Sequence, residues 1–211
     1  MARVAVPARS SVSPRRLVFT LQLVLVGVLV AGVVLLNVSV ILNAVFGLAV
    51  TVLPTVIERD FEVHLSPVLA LWITVAAVLH SLGMVGVYDA VSWWDHLTHA
   101  FSGALVAALG YSVTCTVDEY VDDIYLPPTF LWVFVFLVTI AVGVCWETLE
   151  FVGRDLARFA GFEPLLIVYG VQDTILDLVF DIVGAVLVAA LARVGGGRAL
   201  IAGIVTSVAR R

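Results

Sequence analysis

Six carboxylates and two histidines stand where an otherwise apolar chain can least accommodate them: Asp95, His96 and His99; Glu147 and Glu150; Asp173, Asp177 and Asp181. Carboxylate and imidazole are ligands of divalent cations and general acids and bases of hydrolysis, and inside a membrane they also relay protons or cations. The spacing within each group suits a helix. At about 100° per residue Asp95 and His99 lie about 40° apart, with His96 in the same arc and Gly103 one turn deeper. Gly143, Glu147, Glu150 and Arg154 share a face by the same arithmetic, and Asp173, Asp177 and Asp181 recur every four residues, followed by Gly184. Glycines beside polar stripes allow backbones to approach closely.

Depth makes some of these groups expensive. Asp181 lies eight residues beyond Asp173, about 12 Å deeper at about 1.5 Å per residue. A charge near the bilayer centre costs about 2.5–3.5 kcal/mol on insertion scales, and the net stability of a fold is only about 5–15 kcal/mol. Protons, a nearby arginine or a bound cation must therefore neutralise the acids. Neighbouring carboxylates can share a proton. Arg154 is on the Glu147/Glu150 face and can pair with one acid, but it cannot serve all of them. A divalent cation held by carboxylate and imidazole neutralises two charges and ties three helices together, so a metal site is the expectation.

The elements that would position these residues follow from composition. The chain has 211 residues, 62% hydrophobic and 13% charged, with mean hydropathy +1.14, beyond the range of soluble domains. Six apolar windows are long enough to cross a hydrocarbon core of about 30 Å: 17–36, 38–57, 67–87, 95–115, 129–151 and 173–193. The first two together would form a helix of roughly 60 Å, so a tight turn must fall at Asn37-Val38-Ser39. The fold expected is all-α, a six-span transmembrane bundle over 17–194 in the cell membrane, with tails at 1–16 and 195–211. The first run exceeds a signal-peptide core and lacks a cleavage site, so it reads as a span. The second tail has too few apolar residues to cross and is expected along the surface.

Boundary residues support the windows. Ser66-Pro67 reads as an N-cap with proline at the first helical position, Pro127-Pro128-Thr129 opens the fifth span, and Ser92-Trp93-Trp94-Asp95 fits a capping box. Arg3, Arg9, Arg15, Arg16, Arg59, Arg193, Arg198, Arg210 and Arg211 fall on one side of this topology, against Arg154 and Arg158 on the other. Both termini are therefore expected in the cytoplasm. With six crossings, the start of the fourth span, the end of the fifth and the start of the sixth share one membrane face, whichever way the protein is oriented.

Composition excludes a basic nucleic-acid footprint, since 16 acids outnumber 11 basic residues, all of them arginine. A lysine-free acidic surface suits a halophilic prokaryote. Cys115 and Cys145 lie at opposite membrane faces, which disfavours a disulfide. No Walker loop, nucleophile elbow or HExxH is present.

Each candidate has a simpler reading. Asp95 and Asp173 can be helix caps, His96 and His99 interface histidines, Glu150 a solvated acid, and His80 a satisfied buried histidine that only adjoins the cluster. The acidic run Asp118, Glu119, Asp122 and Asp123 reads as a solvated loop. Capping cannot explain Asp177 and Asp181.

The blocks Trp93–Gly103, Val144–Phe151 and Gln172–Ala185 resemble the three signatures of an uncharacterised multi-spanning membrane protein family. That family includes the bacterial inner-membrane protein YjdF and Gram-positive "membrane-spanning proteins". Its patterns, WD-x-x-x-H-x-x-SG, WE-x-x-E and D-T-x-x-D-x-x-x-D-x-x-G, fall on Asp95, His99, Ser102, Gly103, Trp146, Glu147, Glu150, Asp173, Thr174, Asp177, Asp181 and Gly184. The resemblance supports the site, gives His96 no assigned place and implies no reaction. A looser similarity to VanZ-like membrane proteins rests on the D-x-x-x-H element.

The expected site is thus a divalent-cation centre at the outer ends of spans four to six. Its ligand candidates are Asp95, His99, Glu147, Glu150, Asp173, Asp177 and Asp181, with His96, Ser102, Arg154 and His80 nearby. Three functions remain open: a metal-dependent enzyme acting on a membrane lipid or lipid-linked substrate, an ion- or proton-coupled transporter, and a structural polar network. Residues 186–192 are wholly apolar and 103–110 carry no ionisable group, which favours a dead-end pocket over a through-path. Protein partners are not indicated.

Overall fold

The structure is a computed structural model that describes residues 13–61, 63–120, 126–161, 170–194, 201 and 204–208. Arg3, Arg9, Arg198, Arg210, Arg211, Asp122 and Asp123 lie outside the described residues.

Six helices are long and apolar enough to cross a membrane. Helix α1 (Pro14–Val34) runs into α2 (Val38–Phe61) through a turn in which Leu36 takes φ 53° and Asn37 Oδ1 accepts the Val40 N–H at 3.1 Å. Asn37 is thus the capping residue that makes the expected hairpin. Helix α2 buries Val40, Ala44, Gly47, Thr51 and Pro54, a stripe repeating every three or four residues. Helix α3 (Pro67–Ala90) starts at Ser66, whose Oγ accepts the Leu69 N–H at 3.2 Å.

Near its end α3 is interrupted by a π-helical turn over Gly83–Val87, with Gly86 at φ 116°. A side chain at Gly83 would overlap the Tyr88 ring, so this glycine lets Tyr88 fold back along its own helix.

Helices α4 (Trp94–Tyr120), α5 (Pro128–Phe159) and α6 (Val171–Arg193) form the second half. The 32 residues of α5 span about 48 Å, more than a bilayer core needs. It continues to Phe159 instead of ending at Glu150, because its last turns carry Arg154, Asp155 and Arg158 and can stand in water.

Helices α4 and α6 make the most extensive helix contact of the bundle. A Cβ on Gly103 would lie 2.6 Å from the Asp181 backbone, and one on Gly184 would overlap the Ala100 carbonyl oxygen. The two helices therefore touch backbone to backbone. Toward the far face, a core of Leu69, Ala107, Tyr111, Val135, Ala185 and Val188 fills the bundle.

The segment after α6 departs from the surface tail expected. Ile201 and Ile204 are buried in that same core, and β2 (Val205–Val208) pairs antiparallel with β1 (Val63–Leu65). Too few apolar residues to cross a membrane are still enough to plug the end of a bundle. The pairing also places the α2–α3 connection and the chain after α6 on one face, as six crossings require.

Candidate functional site

His99 is the hub. Its Nε2 lies 3.8 Å from Asp95 Oδ1, 3.8 Å from Glu147 Oε1 and 3.9 Å from Asp177 Oδ1, and its Nδ1 lies 3.4 Å from Asp181 Oδ1. Side chains from three helices thus converge on one imidazole. Asp95 and His99 share the stripe read from α4, Glu147 comes from α5, and Asp177 and Asp181 sit one turn apart on α6. Asp95 lies in the first turn of a helix that opens at Trp94, and its carboxylate faces His99 one turn on.

The glycines make this convergence possible. Contact at Gly103 and Gly184 brings α6 close enough for both of its aspartates to reach the ring. A side chain on Gly143 would overlap the Asp181 carboxylate, so Asp181 occupies a notch in α5.

The cluster is buried yet incompletely paired. Asp177 is 2% exposed, Asp181 4% and Glu147 8%. Asp177 Oδ1 and Glu147 Oε1 have no hydrogen-bond partner among the described residues. Separations of 3.8–3.9 Å from His99 Nε2 are too long for hydrogen bonds. They suit two ligands of one ion, because metal–ligand bonds of about 2.0–2.2 Å put neighbouring ligands about 3–4 Å apart. One ligand atom each from Asp95, His99 and Asp177 lies within 4.8 Å of the others.

The remaining candidates surround this centre. Glu150 is also buried and lies within electrostatic range of Glu147, His99, Asp95 and Asp177. Asp173, in the first turn of α6, is in range of Asp95 and Asp177 at the mouth. His96 points elsewhere: its ring packs edge-on against Phe180 at 4.4 Å. Arg154 does not pair with Glu147 or Glu150 as the shared face suggested. It lies 3.3 Å from Asp155 and stacks over Phe151, because the adjacent acid and ring are reached with less side-chain extension. The arginine option for neutralising the cluster is thereby removed.

His80 belongs to a separate network. Its Nε2 is 3.0 Å from Asn43 Oδ1 and its Nδ1 is 3.1 Å from the Tyr88 hydroxyl. Asn43 uses its amide N–H to donate to the Ser39 carbonyl, so its oxygen faces His80 and accepts from Nε2–H. Tyr88 then donates to Nδ1. Neither Asn43 nor Tyr88 was singled out in the sequence; the only signal was Gly83 and Gly86 bracketing the bend that turns Tyr88 back.

Between the two networks lies a cavity of about 280 Å³ bounded by α2, α3, α4 and α5, with Asp181 of α6 at its edge. His99, Ser102 and His80 all line it. Cys115 and Cys145 are not joined in a disulfide.

A relative from Thermotoga maritima, described as an "Uncharacterized protein", is 24% identical over 133 residues, 62% of this chain and 65% of the relative. The match therefore spans just under two thirds of that relative's length. No solved structure matches the chain. The family described as "Predicted membrane protein (DUF2238)" matches residues 16–196, which take in nearly all of the six spans and every member of the cluster. The chain belongs to this predicted multi-pass membrane protein family, in agreement with the uncharacterised membrane family that its three sequence blocks resemble.

Proposed function

We propose that the protein is a membrane-embedded, divalent-cation-dependent enzyme that acts on a substrate reaching it from the bilayer, at the outer face assigned by the arginine distribution. The observation that carries this reading is the pair of buried, unpartnered oxygens, Asp177 Oδ1 and Glu147 Oε1, facing the same imidazole nitrogen. A structural network would satisfy those atoms, since a buried carboxylate oxygen left unpaired costs about 1–3 kcal/mol or more. A transport path would continue with ionisable groups below Asp181, and α6 beyond that point is apolar to Arg193.

In this reading Asp95, His99 and Asp177, whose ligand atoms lie within 4.8 Å of one another, would hold the cation, with Glu147 beside them. Asp181 accepts from His99 Nδ1–H, which fixes the tautomer and turns the Nε2 lone pair toward the three carboxylates, as outer-shell acids do for metal-ligating histidines. Bound there, a divalent cation would supply Lewis acidity. Glu150, buried beside the ligands, is placed to take a proton. Asp173 at the mouth adds negative potential that draws cations in. The lysine-free composition accords with a salt-adapted prokaryotic host.

The test is elemental analysis and equilibrium dialysis of detergent-purified protein with Mg²⁺, Mn²⁺ and Zn²⁺. The expected result is a near-stoichiometric ion that is lost in the His99→Ala, Asp177→Asn double variant. Absence of any bound ion in the wild type, or equal occupancy in the double variant, overturns the reading.

A further inference from the structure

The cavity beside the cluster has two chemically different ends. Its inner part is walled by Phe46, Val50, Ile73, Leu105, Val106 and Val142. From Thr98 to Val106 it follows α4 over nine residues, about 12 Å, directed away from the acidic face into the depth of the bundle. Its upper part carries His99, Asp181, Ser81 and Ser102. Ser81 is fully buried, and its Oγ has no hydrogen-bond partner among the described residues.

An apolar chamber of this kind does not hold ordered water, which needs two to four polar partners. Hydrocarbon fills it without cost, and the chamber lies at membrane depth. It is bounded by α2 and α3 on one side and α4 and α5 on the other, with α3 on α4 as the main helix-to-helix contact between the halves.

The head end sets the charge of the occupant. Among the described residues no arginine lines the cavity, and the sequence contains no lysine, whereas Asp181 faces in and four further acids surround His99. The five carboxylates around His99 outnumber the two charges of a divalent ion, so an anionic head would enter against an excess of like charge. A hydroxyl or ester finds donors and acceptors in Ser81, Ser102 and Thr98.

We infer that the chamber binds the single hydrocarbon chain of an uncharged lipid, with its hydroxyl or ester head held between Ser81 and the His99 edge. This deepens the enzyme reading by naming its substrate class. Binding itself depends on the chamber and not on the cation.

Two photoreactive probes with the same long chain and a diazirine near its end, one an alcohol and the other a carboxylate, test this on the purified full-length protein. The alcohol is expected to label Val50, Ile73 or Val106 about tenfold or more over the carboxylate, since an uncompensated buried charge costs at least that much. Ala76→Phe, which fills the chamber, is expected to remove the deep labels. If that variant is not monodisperse, competition of the wild type by excess unlabelled oleyl alcohol reads out the same site. Equal labelling by both heads, labels confined to lipid-facing residues such as Phe19 and Leu187, or deep labels that neither filling nor competition removes would overturn the proposal. Metal content measured on the same samples separates the readings. A bound ion with only lipid-facing labels sinks the chamber alone, and deep labels without an ion sink the cation centre alone.

Discussion

Gly184→Ala is the perturbation that ties the fold most directly to the site. A methyl group at this position would sit 2.5 Å from the Ala104 nitrogen and 3.0 Å from the Gly103 carbonyl carbon, and would overlap the Ala100 carbonyl oxygen. All three are backbone atoms of α4, so no side chain can swing away. Ordinary contact begins near 3.4 Å, and α4 and α6 must part by about 1 Å to restore it. Overpacking of that kind costs about 1–3 kcal/mol. Its effect on the site is larger than its effect on the fold, because metal sites tolerate only about 0.2 Å in ligand distance and the same separation carries Asp177 and Asp181 away from His99. The expected outcome is a protein that still purifies as a folded species, melts at a lower temperature in detergent, and has lost the divalent cation proposed for the cluster, by elemental analysis. A variant with an unchanged melting temperature and full occupancy would refute the argument that backbone contact at Gly103 and Gly184 sets the geometry of the cluster.

Two further outcomes separate roles within the site. Asp181→Asn is expected to weaken cation affinity by about 10–100-fold, the usual effect of removing an acid behind a ligating histidine, with the fold retained; equilibrium dialysis measures it, and complete loss would place Asp181 on the ion itself. Arg154→Ala is expected to leave cation occupancy unchanged, because its guanidinium is held by Asp155 and Phe151. A change in occupancy would return Arg154 to the cluster.

The six helical membrane spans were legible in the residues alone, because about 20 apolar residues per crossing is a property of local composition that the fold cannot change. It was also legible there that Asp95, His99, Glu147 and Asp177 share one face, since parity of crossings and helical period are arithmetic on residue numbers. The tertiary structure decided what depends on distance and direction between helices. Only there does His99 become the centre, with Asp181 on one ring nitrogen and three carboxylates on the other, because helix rotation and separation are set by glycine contacts that periodicity cannot rank. The same limit hid the Asn43–His80–Tyr88 network, which needs the π turn at Gly83–Val87 to exist, and the burial of Ile201 and Ile204, which depends on an opening at the end of the bundle. It also made Arg154 look available, because a shared helical face shows which groups a side chain can reach but not which neighbour it reaches first.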